Sequence, residues 1–171
     1  MPVASTHDRV EQLGRLVDQY QLQLLAYAQR LSGGDLERAQ DAVQETFLRL
    51  CREDLSRLEG RIAPWLFAVC RTRVIDMQRT TPPTQISSDQ VADTAATQDG
   101  PAEHAQWSDE QQRLAAQLSR LPSRQQEVLR LRLQAGLTYR EIAEVTGTTV
   151  NNVGVQLHQA IRTLRQRMAA T

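Results

Sequence analysis

The stretch REIAEVTGTTVNNVGVQL, residues 140–157, decides how the rest of the chain is read. A helix-turn-helix needs a small residue where its two helices pack closest, a turn residue that tolerates positive φ, and an apolar anchor in the second helix. Ala143, Gly147 and Val153 meet those three demands in order. Thr138 followed by Glu141 forms a capping box that starts the first helix, and the second begins near Thr149.

Helical periodicity extends from this unit in both directions. In SDEQQRLAAQLSRL, residues 108–121, Ser108 serves as a cap, acids occupy the first turn, and Leu114, Leu118 and Leu121 point inward. Ser123 with Gln126 reads as a further capping box, and Gly136 suits a C-terminal cap before Thr138. The last helix carries Val153, Leu157, Ile161, Leu164 and Met168 as its stripe. Residues 109–169 are therefore expected to fold as a four-helix domain.

Nearer the N-terminus, Val10, Leu13, Val17, Tyr20, Leu24, Tyr27 and Leu31 recur every three or four residues, which predicts a long amphipathic helix. SGGD ends it, and Asp35 N-caps a second helix with the stripe Leu36, Ala39, Val43, Phe47 and Leu50. After a loop near residues 54–60, RIAPWLFAVCRTRVIDMQR predicts a third, with Pro64 in its first turn and Trp65, Ala68, Val69 and Ile75 on its apolar face. Residues 8–80 thus form one helical domain. Residues 81–108 shift to Pro, Ser, Thr, Gln, Asp and Ala without a period, which reads as an acidic flexible linker. The fold class is all-α: two small helical domains joined by that linker.

With 171 residues, 40% apolar and 4% aromatic, the chain can build cores, and they must be aliphatic. The N-terminus has no basic region leading into an apolar h-region, and no stretch approaches the roughly 18 apolar residues of a membrane span. A soluble, cytoplasmic protein without membrane insertion is expected. Cys51 and Cys70 form no C-x-x-C pair, and His7, His104 and His158 are scattered. No triad or carboxylate pair stands out, so neither enzyme activity nor a metal or cofactor is expected.

The zero net charge conceals a pattern. Residues 1–60 hold seven arginines against ten acids, and residues 61–79 hold four against one. Residues 80–108 hold four acids and no arginine, whereas residues 109–171 hold nine arginines against five acids. Basic segments suit phosphate binding, since each neutralised phosphate releases counterion; acidic ones repel DNA and suit a basic protein partner.

Three stretches in order, DAVQETFLRL (41–50), PWLFAVCRTRVIDMQR (64–79) and LPSRQQEVLRLRLQAGLTYREIAEVTGTTVNNVGVQLHQAIRTLR (121–165), resemble the extracytoplasmic-function (ECF) group of the sigma-70 family of bacterial RNA polymerase sigma factors. The resemblance spans about residues 10–168. It implies a region 2-like domain over 8–80 for core polymerase and the minus-10 element, and a region 4-like helix-turn-helix domain over 109–169 for the minus-35 element. The implied function is to direct core polymerase to specific promoters, without catalysis by this chain.

The resemblance places polymerase binding on Asp41, Gln44 and Glu45, continued by Leu48 and Arg52. It places minus-10 reading on Arg61, Trp65, Arg71, Thr72, Arg73 and Arg79, with Phe67 as a further stacking ring. Single-stranded bases are held by stacking and cationic grooves, although Trp65 at a stripe position also suits the core. Minus-35 reading falls to Asn151, Asn152, Gln156 and His158, where Asn and Gln suit adenine edges. Thr149 opens that helix, and Arg140 and Arg162 position phosphates. The family commonly has Lys or Arg at some of the places held here by Gly154, Gln156 and Gln159.

Arg38 and Gln40 stand where the family commonly has acids. Phosphorylation of Thr46, next to Glu45, would return negative charge to that helix. A regulatory kinase or an anti-sigma factor is accordingly the expected controlling partner, beside core polymerase and promoter DNA. The alternative reading is a stand-alone helix-turn-helix regulator. The second basic segment, residues 61–79, argues against it.

Overall fold

The computed structural model describes residues 6–80 and 108–170, which are helical without a strand. The chain divides into two compact units on either side of the bond between Thr80 and Thr81. The expected linker over 81–108 lies outside the described residues, apart from Ser108.

In the first unit, α1 (Thr6–Leu31), α2 (Leu36–Arg52) and α3 (Ile62–Thr80) pack against one another. Burial along α1 is graded: Leu24, Tyr27 and Ala28 are buried, whereas Val10, expected on the stripe, is 63% exposed. The first turns of α1 reach past the core but are not idle. Arg9 donates to the carbonyls of Cys51 (2.9 Å) and Glu53 (2.7 Å), filling acceptors that the end of α2 leaves open. Between α1 and α2, Asp35 accepts from the Arg38 N–H as the expected N-cap. The buried line of α2 is Ala39, Ala42, Val43, Thr46 and Leu50; Leu36 is exposed and Phe47 half-buried.

The loop expected at 54–60 contains a short 3-10 turn, Leu55–Leu58, that seats Leu55 in the core. Asp54 caps this turn, and hydrogen bonds from the Ser56 hydroxyl and N–H hold its carboxyl below the usual range. In α3 the buried residues are Pro64, Leu66, Phe67, Cys70 and Val74, while the expected face of Trp65, Ala68, Val69 and Ile75 is only half-buried. The run Ile62–Cys70 is apolar nearly all round, so periodicity alone does not choose its inward side. Phe67, 2% exposed, meets Tyr27 edge-on at 5.2 Å and is a core ring rather than a base-stacking one.

The second unit comprises α4 (Asp109–Ser119), α5 (Ser123–Leu133), α6 (Tyr139–Thr146) and α7 (Val150–Ala169). Ser108 caps α4 in a reciprocal box with Gln111, and Leu114 is exposed rather than inward. The expected Ser123–Gln126 box is absent because Gln126 is buried and engaged elsewhere. Its amide donates to the carbonyls of Ser119 (3.2 Å) and Leu121 (2.7 Å), tying α5 to the preceding turn. α7 buries Val153, Leu157 and Ala160, and Ile161 faces outward.

The helix-turn-helix forms as its spacing requires. Thr138 and Glu141 exchange hydrogen bonds at the start of α6. Gly147 ends that helix at φ 67°, and its N–H and that of Thr148 both reach the Ala143 carbonyl. A side chain at 147 would strain this left-handed turn. Ala143 and Val153 are both buried, so the three residues perform the expected roles.

Candidate functional site

On α2, Asp41, Gln44, Leu48 and Arg52 are exposed, with Glu45 half-buried at the edge. They lie opposite the buried line through Ala39, Thr46 and Leu50, as steps of three and four on a 3.6-residue period dictate. Leu48 is 47% exposed, an apolar centre bordered by charge. Glu45 pairs with Arg49 at 3.2 Å, and Arg38 pairs with Asp35 at 3.6 Å. The positive charge at 38 is therefore offset locally at the helix start.

Thr46 does not belong to this face. It is 0% exposed, its hydroxyl donates to the Ala42 carbonyl at 2.7 Å, and it neighbours Cys70. Modification of Thr46 in the folded unit is thereby corrected: a kinase cannot reach a hydroxyl enclosed in the core. The error came from sequence adjacency, since Thr46 follows Glu45 but projects about 100° around the helix from it. Burial pushes the Cys70 thiol up to about 11, outweighing the opposing effect of the Thr46 hydroxyl. Cys51, by contrast, is exposed.

Along α3, Trp65, Thr72 and Arg79 are spaced by seven and share one side, with Arg61 one turn ahead. Arg61, Thr72 and Arg79 are exposed and Trp65 is half-buried. The Thr72 hydroxyl donates back to the Ala68 carbonyl at 2.9 Å. Arg71 and Arg73 stand apart from this row, half-buried on the two flanks of the inward face. The Arg73 Nε is buried with no hydrogen-bond partner among the described residues.

On α7, Asn151, Val155, His158 and Arg162 form an exposed row opposite Val153 and Leu157. Asn152 and Gln156 lie to one side, half-buried and linked. The Asn152 amide donates to the Thr148 hydroxyl at 2.6 Å, and Gln156 Nε2 lies 3.5 Å from Asn152 Oδ1. Thr149 is the N-cap, its hydroxyl accepting from the Asn152 N–H at 3.1 Å. Arg140 is exposed in the first turn of α6.

Two residues of this surface escaped the sequence reading. Val155, 43% exposed, lies two residues from both Val153 and Leu157, a spacing that turns it away from the core. Arg132, in the last turn of α5, stacks on the Tyr139 ring at 5.4 Å. No periodicity announces that pairing.

Among the described residues no group of His, Cys, Asp and Glu is arranged to hold a metal, and no helix is long and apolar enough to cross a membrane. The arrangement is one of outward faces suited to macromolecular partners.

Residues 16–81 match the family model described as Sigma-70 region 2, and residues 111–164 match Sigma-70, region 4. The chain is 31% identical over 165 residues to the RNA polymerase sigma factor YlaC of Bacillus subtilis (strain 168), covering 94% of this chain and 92% of that one. It is 30% identical over 139 residues to the ECF RNA polymerase sigma factor EcfG of Rhodopseudomonas palustris (strain TIE-1), covering 80% and 74%. Its fold is similar to that of the sigma factor RpoE in its co-crystal with the anti-sigma factor NepR from Bartonella quintana. There the TM-score is 0.62 at 18% identity, over 93% of this chain and 98% of that chain.

Proposed function

From the premise that this chain belongs to the ECF group of the sigma-70 family of RNA polymerase sigma factors, and so directs core polymerase to specific promoters, we propose a division of labour among its exposed faces. The α2 face of Asp41, Gln44, Glu45, Leu48 and Arg52 docks core polymerase. The side of α3 bearing Arg61, Trp65, Thr72 and Arg79 meets the minus-10 element, with Arg71 and Arg73 flanking it. The outer side of α7 reads the minus-35 element, and Arg140 and Arg162 hold phosphates. One observation supports this reading: the assigned helices bury one side and turn Asp41, Leu48, Arg52, Thr72, Arg79, Asn151 and Arg162 outward.

The chain performs no catalytic step of its own in this scheme and acts in the cytoplasm beside polymerase. An anti-sigma factor is the favoured controlling partner, because burial of Thr46 removes that residue as a kinase target and a neighbouring fold is found bound to one. Run-off transcription by core polymerase, with and without the purified chain, tests the whole reading on a promoter library. Promoter-specific transcripts are expected only when the chain is added. Sequence-specific duplex binding without polymerase, and no such transcripts, would instead establish a stand-alone regulator.

Asn151→Ala and Gln156→Ala are each expected to cost about 1–3 kcal/mol of discrimination at particular base pairs if they make bidentate contacts to adenine. Asn152→Ala should act through Gln156, which it adjoins, and so alter the same position. Arg162→Ala should weaken all promoters alike. Identical selection profiles for wild type and the Asn151/Gln156 double variant would remove these residues as readers.

A further inference from the structure

Three polar side chains stand in line along one side of the reading helix, and the first of them lies in the turn that precedes it. Thr148, Asn152 and Gln156 follow one another at steps of four, and all three are half-buried. The Asn152 amide donates to the Thr148 hydroxyl at 2.6 Å, and Gln156 Nε2 lies 3.5 Å from Asn152 Oδ1. We infer that Thr148 is a positioning residue for minus-35 reading: it sets the Asn152 amide and, through it, the amide that Gln156 presents to a base. The inference deepens the assignment of α7 to promoter DNA and rests on it.

The root of this line is fixed by the helix-turn-helix itself. Gly147 turns the chain out of α6, and the Thr148 N–H then reaches back to the Ala143 carbonyl at 3.1 Å. The Thr148 hydroxyl is thereby placed from α6 rather than from α7. Asn152 is held twice, since its backbone N–H donates to the Thr149 hydroxyl at 3.1 Å while its side chain meets Thr148.

A carboxamide ends in an oxygen that accepts and a nitrogen that donates, and its terminal torsion is broadly two-fold, so a free glutamine offers the two in either order. The line removes that choice. With Asn152 Nδ2 given to Thr148, its Oδ1 is left toward the next turn, where it can only accept, and Gln156 answers with Nε2. Gln156 Oε1 and the second Nε2 hydrogen remain for the major groove in one fixed order. Adenine matches that pair through its N6 donor and N7 acceptor. Ordering a long side chain only on binding costs a factor of about two to ten in affinity, a loss that an amide already set avoids.

The test is base preference, read by holoenzyme selection from a random duplex library at the position whose preference changes in Gln156→Ala. Thr148→Val keeps the branched shape and removes the hydroxyl. It should lower preference at that position by about two- to tenfold and spare the position that responds to Asn151→Ala. Thr148→Ser, which keeps the hydroxyl, should select as wild type does. In a Gln156→Ala background, Thr148→Val should change nothing further there. A smaller folded fraction scales every duplex alike and cancels from these ratios. An unchanged profile for Thr148→Val, a loss spread evenly over all positions, or a serine variant as impaired as the valine one overturns the inference and leaves α7 as the reader. If Gln156→Ala itself changes no preference, Gln156 is not a reader and its positioning by Thr148 falls with it.

Discussion

Replacing both Asp41 and Glu45 by arginine is expected to disrupt binding to core polymerase while the helical content of the protein stays as it was. The two carboxylates lie one turn apart on the outward side of α2, beside exposed Leu48. Close charge pairs across interfaces couple by about 1.5–7 kcal/mol, and reversal replaces attraction with repulsion. A combined loss of about 3–6 kcal/mol lowers affinity by roughly two to four orders of magnitude. The cost to the fold is small by comparison. Glu45→Arg removes a surface pair with Arg49 worth about 0.3–0.5 kcal/mol and sets like charges at that spacing. Co-elution with core polymerase and circular dichroism on the same sample separate the two effects. Full transcription by the double variant would detach the α2 face from polymerase.

Thr46→Glu is expected to destabilise the first unit strongly, whereas Thr46→Val should leave it folded. The Thr46 side chain is enclosed by the packed helices, and its hydroxyl is satisfied by Ala42 one turn back. Valine keeps the branched shape and takes the hydroxyl away together with its need for a partner. Glutamate adds volume and a carboxylate, and the effective penalty for a buried ion is on the order of several kcal/mol. A loss of about 3 kcal/mol lowers the melting temperature of a domain this small by about 12 °C or more. Thermal unfolding of the two variants reads this directly. A Thr46→Glu protein that melts with wild type would reopen modification at this position.

What the sequence disclosed depended on whether each signal was local. The α6 capping box, the Gly147 turn and the Val153 anchor follow from chemistry within a few residues, and all three form as the spacing requires. The acidic face of α2 was readable because steps of three and four place its residues together whatever surrounds the helix. The inward side of α3 was hidden, since Ile62–Cys70 offers apolar residues in nearly every direction and only packing against α1 and α2 selects Leu66, Phe67 and Cys70. Thr46 was misread because a threonine on a buried line looks like a polar surface residue until its hydroxyl is seen bonded to the helix backbone. Gln126 shows the same rule from the other side. A tertiary demand from the Ser119 and Leu121 carbonyls outcompetes the local box that its spacing suggested.

The unequal surroundings of the two cysteines equip the protein for spectroscopy without any substitution. Burial raises the Cys70 thiol to about 11, so it stays protonated at pH 7, and the core also shields it from reagent. Cys51 stands exposed, one residue before Arg52 at the end of the α2 face. A maleimide dye should therefore couple once per folded chain at Cys51, and a second adduct should need denaturant; intact-mass measurement distinguishes the two. The resulting fluorophore sits where the assigned docking surface ends, so polymerase capture becomes visible as a change in anisotropy.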